Sequence, residues 1–281
     1  MRIAIVGKGG SGKSSVSWLL AQYISENHGY VALIDSDHNM DLTSLLKYDF
    51  NNDSPSFHRS HDEFRKVVSQ KEDKSWNNII LDGRELPRFT IGKHKDSFSK
   101  KIFIKISDSI DLAVVGLGGE DILYSTRCAH GHSAPLKYYL PLLKTESNVL
   151  IDGVAGVDMI NAGVYSAVDV LGIVVEPQPN SIRVCDQIIS LAQKTGIPYC
   201  VILNKPNNTE YNKQITEKYA DVLAGEVPID IEIITANYFK VNKDTKQNLK
   251  TIFEYLQTNF RVTDTLARLK EIETKKRLSR K

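Results

Sequence analysis

A glycine-rich loop near the start of the chain constrains the fold more than any other feature. An apolar run at 3–6 precedes the loop, and a helical stripe of apolar residues at 16–24 follows it. A strand that turns through glycines into a helix lets backbone N–H groups surround a phosphate at the positive end of the helix dipole. The pattern G-x-x-x-x-G-K-[ST] fits this loop, which predicts that Lys13 contacts phosphates and that Ser14 can ligate magnesium. The loop sequence is Gly7-Lys8-Gly9-Gly10-Ser11-Gly12-Lys13-Ser14.

Short apolar runs alternate with helical stretches along most of the chain. The six clearest runs are rich in Val, Ile and Leu, as strands covered on both faces are. This alternation predicts an α/β fold with a mostly parallel sheet of seven or eight strands and helices on both faces. Because ligands bind at the carboxyl ends of parallel strands, we expect Gly7, Asp37, Asp152 and Asn204 at one edge. The six runs lie at 3–6, 31–34, 112–115, 149–151, 171–175 and 199–203.

Length and composition limit the classes of protein that remain. The 281 residues carry 36 Lys and Arg against 34 Asp and Glu, a balance that does not indicate a nucleic-acid-coating protein. We predict one domain over 1–260, followed by a basic helix or tail at 261–281. A polar insertion is expected on the rim of this domain at about 51–100, and it has no strong strand before the apolar run at 102–104. Three cysteines give no disulfide framework, and no segment approaches the about 20 apolar residues that span a bilayer. A cytoplasmic location is therefore expected.

A second lysine in the loop narrows the class of site. Lys8 lies too early to take the place of Lys13, and residues 8–14 resemble the K-G-G-x-G-K-[ST] signature of the MinD/ParA/nitrogenase-iron-protein group of deviant Walker A ATPases. The resemblance implies that the chain binds ATP with Mg²⁺, hydrolyses ATP, and forms a homodimer in the ATP state. It also implies that Lys8 reaches the phosphates of the partner protomer. Taken alone, Lys8 is open to the simpler interpretation of a solvated loop charge.

Two acidic segments resemble the switch elements of the same group. Asp37 lies in 35–41, which is similar to D-x-D-P-x-x-[ND], and His38 replaces the usual proline. Asp152 opens 152–156, which is similar to D-x-P-A-G. The resemblance implies that both carboxylates act through magnesium-bound or attacking water, so that Lys8, Lys13, Asp37 and Asp152 are the catalytic residues. Either aspartate could instead cap the helix that follows it.

The resemblance also indicates which residues hold the nucleotide. Asn204 and Lys205 follow a predicted strand, where the family carries an asparagine that bonds the adenine edge, and 227–230 resembles the segment that wraps the base from the other side. Ser14, Asp37 and Asp152 are the expected magnesium site. The expected nucleotide-binding residues are Gly7, Gly9, Gly10, Ser11, Gly12, Lys13, Ser14, Ser15, Asn204, Lys205, Pro228 and Asp230.

A Cys-x-His pair precedes the fourth of the six runs. Its position is similar to that of the Cys-x-Cys motif in CooC-type ATPases, which serve nickel insertion into carbon monoxide dehydrogenase. That resemblance implies a site for Zn²⁺ or Ni²⁺ at the dimer interface, built from Cys128 and His130 of two protomers. From the residues alone, the favoured interpretation is that Cys128 packs and His130 is an ordinary loop residue. Cys185 and Cys200 are expected in the core.

The function that the resemblance favours is a CooC-like, ATP-driven dimeric switch that assists metal insertion into, or maturation of, a client metalloenzyme. Three alternatives stay open: a partitioning or positioning ATPase like ParA or MinD, a nucleotide-gated interaction protein with little turnover, and a small-molecule synthase such as an amide-forming ligase. The basic run at 275–281 is the only feature that supports a DNA or membrane partner. A charge run is usually a solvated face, so neither partner is expected.

Overall fold

The structure is a computed structural model. It describes residues 1–37, 40–51, 53–70, 75–116, 134–144, 147–161, 163–229, 232 and 241–278.

Eight strands form a single sheet with the order β3-β4-β2-β5-β1-β6-β7-β8. Every neighbouring pair is parallel except β3 and β4, which are antiparallel. The sheet confirms the predicted mostly parallel α/β fold, at the upper of the two predicted strand counts. The strands are β1 (Arg2–Gly7), β2 (Val31–Asp35), β3 (Phe103–Lys105), β4 (Ile110–Val114), β5 (Asn148–Asp152), β6 (Val170–Val175), β7 (Tyr199–Asn204) and β8 (Leu223–Val227).

Helices cover both faces of the sheet. The first helix begins directly after the glycine loop, ends two residues before Gly29, and buries its apolar stripe against one face together with the long helix near the C-terminus. The helices are α1 (Lys13–Asn27), α2 (Asp41–Leu45), α3 (His61–Ser69), α4 (Trp76–Leu81), α5 (Ser97–Ile102), α6 (Ala134–Leu142), α7 (Asp158–Asn161), α8 (Pro179–Thr195), α9 (Glu210–Lys218), α10 (Lys243–Asn259) and α11 (Thr265–Leu278), with 3₁₀ turns at Gly92–His94, Val164–Ala167 and Ala220–Val222.

The stretch at 51–100 carries α3, α4 and most of α5, and it contributes aromatic side chains to the core. Phe64 and Phe98 pack around Tyr139 of α6, with ring centroids 5.9 and 6.0 Å away, and Phe57 and Phe89 approach it at 5.1 and 5.2 Å. All four phenylalanines are buried. The stretch therefore adds a layer of core over one face of the sheet.

Helix α11 lies against α4 and α6. Its Leu269 is fully buried, and Glu273 forms an ion pair with Lys137 of α6 in which the two side chains are only 4% and 7% exposed. Burial of both charges ties the position of α11 to that of α6. The domain boundaries at 1–260 and 261–281 stay a prediction.

Candidate functional site

The carboxyl ends of the central strands meet at one edge of the sheet. Asp35, the last residue of β2, and Ile5 of β1 are both Cα partners of Asp152, the last residue of β5. Asn204 ends β7, two strands away from β1 on the other side. The structure thus brings Gly7, the switch-like segments and Asn204 to the same edge.

The glycine loop follows β1 and turns sharply against its neighbours. A Cβ atom on Gly7 would lie 2.4 Å from the carbonyl oxygen of Val174 on β6, so no side chain fits there. The amide of Ser11 donates to the carbonyl of Lys8 at 3.1 Å, and the amide of Gly156 donates to the carbonyl of Gly7 at 2.8 Å. The loop is therefore closed on itself and joined to the segment after β5.

Helix α1 begins with its first amide groups uncapped by a side chain. Gly12 precedes the helix in a left-handed conformation with φ of 85°. A Cβ atom on Gly12 would lie 2.2 Å from the side-chain nitrogen Nδ2 of Asn204. Lys13 is buried at the helix start, with 6% of its surface exposed. Uncapped amides, the helix dipole and a buried lysine together make an arrangement that suits a phosphate.

Lys8 occupies a different environment from Lys13. It is only half-buried, and its Nζ donates to the backbone carbonyl of Gly9 at 3.1 Å. The two lysines of the loop therefore differ in burial: Lys13 lies in the interior of the protein, and Lys8 lies near its surface.

Asp152 is fully buried beside the loop and is incompletely hydrogen-bonded. Its Oδ1 accepts a hydrogen bond from the Ser17 hydroxyl at 3.1 Å, whereas its buried Oδ2 accepts none from the described residues. Burial and the neighbouring Asp35 carboxylate raise the pKa of Asp152 to about 7, against the opposing influence of Ser14, Lys13 and Ser17. One oxygen of this buried carboxylate therefore lacks the hydrogen-bond donor that normally accompanies buried charge.

Asp35 is a site residue that sequence reasoning missed. It is fully buried, and its Oδ2 accepts hydrogen bonds from the amide and the hydroxyl of Thr43 at 2.9 and 2.6 Å. Its Oδ1 accepts from the amide of Asp37 at 3.3 Å, which fixes the start of the segment that carries Asp37. Burial raises the pKa of Asp35 to about 6, although the hydrogen bonds from Thr43 and Asp37 favour its charged form. The signal in the sequence is an aspartate directly after the apolar run at 31–34.

The far side of the loop holds the residues predicted to contact a base. The Nδ2 of Asn204 donates to the carbonyl of Ser11 at 2.7 Å, which links β7 directly to the loop. Lys205 forms an ion pair with Glu176 at 2.5 Å, and its amide donates to the carbonyl of Val227 at 2.8 Å. Glu176, which sequence reasoning did not select, lies directly after β6.

Of the two remaining residues predicted to contact the base, Pro228 and Asp230, the structure describes only Pro228. Pro228 is half-buried directly after β8. Asp230 lies outside the described residues, as does His38.

Residues 3–241 match the CobQ/CobB/MinD/ParA nucleotide binding domain. The chain belongs to this family. The edge formed by the glycine loop, Asp35, Asp152 and Asn204 lies within the matched nucleotide binding domain.

Two relatives show the range of proteins to which this family member is similar. An uncharacterized ATP-binding protein of Methanocaldococcus jannaschii is 29% identical over 237 residues, which cover 83% of this chain and 90% of the relative. The carbon monoxide dehydrogenase accessory protein CooC of Rhodospirillum rubrum is 28% identical over 243 residues, which cover 84% of this chain and 87% of CooC.

Solved structures agree with the fold. The septum site-determining protein MinD of Pyrococcus horikoshii OT3, complexed with Mg-ADP, has a TM-score of 0.62 at 17% identity and covers 91% of this chain and 95% of MinD. A plasmid partition protein of Borrelia burgdorferi B31, bound to AMPPNP, has a TM-score of 0.62 at 20% identity and covers 92% of this chain and 98% of the partition protein. At these identities the likeness shows the MinD/ParA fold alone.

The residues of this domain fit a magnesium ion. The orphaned Oδ2 of Asp152 is a buried carboxylate oxygen without a donor among the described residues, and Asp37 is also buried. Ser14 is the second residue of α1 and, together with Lys13, favours the charged form of Asp152. Carboxylate and hydroxyl oxygens are the ligands that hard divalent cations select.

The cysteines of this family member divide into two groups. Cys185 and Cys200 are buried, and burial raises the pKa of both thiols to about 12, which confirms that they are core residues. Cys128 and His130 lie outside the described residues. Within the part of the chain that the structure describes, no group of three His, Cys, Asp or Glu side chains is placed to hold a metal ion.

Among the described residues, no helix has the length and apolar character needed to span a membrane.

Proposed function

We propose that this protein is a magnesium-dependent ATPase that works as a nucleotide-driven homodimeric switch. The observation that carries the proposal is the buried, incompletely bonded carboxylate of Asp152 in register with Asp35, beside the start of α1. A protein that only needed the fold would satisfy that oxygen, because an unpaired buried polar group costs about 1–3 kcal/mol. Magnesium bound by Ser14, Asp37 and Asp152 would neutralise charge on the phosphates.

The residues of one protomer divide the work on its own nucleotide. Lys13, with the loop from Gly7 to Ser15, binds the phosphates. Asp37 orients the attacking water. Asn204 and Lys205 take one side of the base and Pro228 and Asp230 the other, so that ATP spans the edge from α1 to β8. This assignment rests on the positions of the strand ends, with the matching family supplying the ligand class.

Lys8 acts across the dimer. Its only half-buried side chain bonds the backbone next to it, a contact that is easily exchanged for the phosphates of a partner's nucleotide. A positive charge supplied in trans stabilises the charge that develops during phosphoryl transfer and makes hydrolysis depend on dimerisation. ATP then favours the closed dimer, and hydrolysis opens it.

The biological role that we propose is CooC-like: the switch assists metal insertion into a client metalloenzyme or its maturation. The similarity to CooC over most of both chains supports this role. Cys128 and His130 from two protomers would form the site for the transferred metal, with Zn²⁺ and Ni²⁺ as candidates.

The alternative is a partitioning or positioning ATPase that acts on DNA or membrane, for which the basic C-terminal residues are the support. Two of these lysines already lie near acidic side chains of α11: Lys275 pairs with Glu271 at 2.7 Å, and Lys276 lies 3.8 Å from Glu273. This pairing leaves less free charge for a polyanion, and it favours the CooC-like role.

Two measurements on the same samples test the proposed activity: phosphate release from ATP reports turnover, and sedimentation velocity reports dimerisation. The wild type should release phosphate only with magnesium and should sediment as a dimer with ATP but not with ADP. Lys8→Ala should lose most turnover and the ATP-dependent dimer, whereas Lys213→Ala, which changes an exposed lysine of α9, should match the wild type. ATP binding without turnover in the wild type would leave a nucleotide-gated interaction protein instead.

Metal content after dialysis tests the CooC-like role separately. The wild type should retain about one Ni²⁺ or Zn²⁺ per dimer when an ATP analogue is present, and Cys128→Ser should lose it. Because the thiol must lose its proton to bind, retention should weaken as pH falls. Metal content that ignores the Cys128 substitution would remove the metal site while leaving the ATPase proposal intact.

A further inference from the structure

A cleft of about 640 Å³ opens at the edge of the sheet opposite the nucleotide site. Arg2, which lines it, is the first residue of β1, and Gly7 of the phosphate loop is the last. At about 3.3 Å per residue, the length of β1 separates the two sites by roughly 16 Å. Four segments form the walls: the start of β1, 88–90, 141–144 and 262–266. The cleft is therefore distinct from the nucleotide-binding edge.

Three cationic side chains line this cleft. Arg2 is almost fully buried, and its guanidinium donates through Nε to the carbonyl of Leu140 at 3.1 Å and through Nη2 to the carbonyl of Leu143 at 3.2 Å. These two bonds hold the guanidinium plane and use two of its five N–H donors. Arg88 and Lys144 stand exposed on the rim. Arg88 Nη1 donates to the carbonyl of Pro141 at 3.4 Å. A held guanidinium with unused donors, flanked by two exposed cations, suits an oxyanion.

The acidic groups nearby do not neutralise the cleft. Asp169 offsets one of the three positive charges, because it forms an ion pair with Arg2 at 3.9 Å from Nη1; its oxygens also accept hydrogen bonds from the Arg2 amide at 2.7 Å and from the amide and hydroxyl of Thr263, each at 2.8 Å. Asp264 is the only carboxylate among the described residues that line the cleft. Positive charge therefore exceeds negative charge at this site.

The rest of the lining is largely apolar. Pro141, Leu143, Val262 and Leu266 contribute to it, and Val262 keeps 65% of its surface exposed although it is a large apolar side chain. The volume lies within the roughly 300–1,000 Å³ of small-molecule sites. A ligand that fits would carry an anionic head and a compact apolar body, which excludes a bare inorganic ion as the best occupant.

The walls are held in place by backbone hydrogen bonds. The amide of Phe89 donates to the carbonyl of Leu142 at 2.9 Å, and the amide of Lys144 donates back to the carbonyl of Phe89 at 2.8 Å. This short pairing fixes Arg88 and Lys144 on adjoining segments. A site whose frame is already ordered loses little entropy when it binds a ligand.

We propose that this cleft binds a small organic anion, with a phosphate or carboxylate head held by Arg2, Arg88 and Lys144 and an apolar body against Val262 and Leu266. The site serves a ligand separate from the nucleotide. The two possible head groups share the same recognition chemistry, and the choice of probe distinguishes them.

Calorimetric titration with phenyl phosphate and with phenylacetate tests the proposal. The protein is first saturated with AMPPNP and magnesium, so that the phosphate loop is occupied. At least one probe should bind, and the tighter probe identifies the head group. Arg88→Ala and Lys144→Ala should each weaken its binding about tenfold, since each removes one charge-assisted contact. Lys213→Ala on α9 should leave the affinity unchanged.

A second arm tests the apolar wall. Inorganic phosphate should bind more weakly than phenyl phosphate, and Val262→Ser should weaken the phenyl probes but not inorganic phosphate. Val262 is exposed, so this change does not threaten the fold. Absence of binding by both phenyl probes, wild-type affinity in Arg88→Ala and Lys144→Ala, or equal affinity for the phenyl probes and inorganic phosphate would each overturn the proposal.

Discussion

Two fully buried aspartates lie at opposite edges of the same sheet and differ in their partners. Asp169, at the start of β6, accepts three hydrogen bonds of 2.7–2.8 Å, one from the amide of Arg2 and two from Thr263. Asp152, at the end of β5, accepts one from Ser17 at 3.1 Å, and its Oδ2 has no partner among the described residues.

The difference separates a carboxylate that holds the fold together from one that we propose serves a ligand. Asp169 joins β1 to the segment before α11, and both of its oxygens are used. Burial and the neighbouring Asp35 raise the pKa of Asp152 to about 7, and the opposing influence of Ser14, Lys13 and Ser17 does not offset them. A divalent cation with a bound nucleotide would supply positive charge that stabilises the ionised form.

The largest effect that we expect is on nucleotide binding at the Asp152 edge. Lys13→Ala should weaken ATP binding more than about 100-fold, because Lys13 is the buried cation at the phosphate site. Nucleotide titration measures the change. Lys8→Ala is the matched control within the same loop and should still bind ATP. Equal loss of binding in both variants would remove the distinction between a lysine that acts in its own protomer and one that acts on the partner.

The next effect concerns turnover. Asp37→Asn and Asp152→Asn should still bind ATP but hydrolyse it at least about 10²-fold more slowly, since the placement of water and cation contributes on the order of 3 kcal/mol to such barriers. Single-turnover phosphate release measures the rate. Asp108→Asn, at a fully exposed aspartate in a turn, is the control. A near-normal kcat in both site variants would mean that these carboxylates are structural like Asp169.

Stability should respond in the opposite order. Asp169→Asn should lower the free energy of unfolding by about 2–3 kcal/mol, because an amide nitrogen would replace an acceptor that faces the donors of Arg2 and Thr263. Asp152→Asn should leave the stability of the nucleotide-free protein unchanged or raise it at pH 8, since it removes an unfavourable buried charge. Urea denaturation followed by circular dichroism gives both values. Equal destabilisation by the two substitutions would contradict the comparison.

A further effect is on the pH dependence of stability. Asp35 and Asp152 have pKa values of about 6 and about 7 in the folded protein against an ordinary value of 3.8, so the folded state binds more protons than the unfolded state across that interval. Their contribution to stability is therefore fully present below about pH 4 and falls as pH rises through 6 and 7. Denaturation at pH 5 and pH 8 should show this decline in the wild type and a smaller one in Asp152→Asn. A decline of the same size in both would assign it to other groups.

Much of the site could be predicted because its parts are contiguous in the chain. The phosphate loop is a single stretch, and its flanks fix it between a strand and a helix. The pairing of Asp35 with Asp152 could not be predicted, because it depends on β2 and β5 being neighbours although more than a hundred residues separate them. Glu176 was missed for the same reason: its partner Lys205 directly follows β7, the neighbouring strand of the sheet.

The edges of the fold were harder to predict than its centre. Strand β8 has the sequence LAGEV, and its glycine and glutamate interrupt the apolar run that would predict a buried strand. The aromatic core joins Tyr139 to phenylalanines that lie forty or more positions earlier in the chain. The polar composition of 51–100 therefore did not reveal the buried side chains within that stretch. Local patterns thus predicted the central strands and the loop, whereas contacts between distant segments required the structure.

A complementation experiment tests the central claim most directly, namely that two protomers share each ATPase site. Lys8→Ala and Asp152→Asn are each expected to hydrolyse ATP poorly, but in a mixed dimer the Lys8→Ala protomer keeps its own Asp152 and receives Lys8 from its partner. Random pairing in an equal mixture would make half of the dimers mixed, with one intact site each, so the mixture should recover turnover up to about a quarter of the wild-type rate. A mixture no more active than the average of the two variants alone would contradict the account.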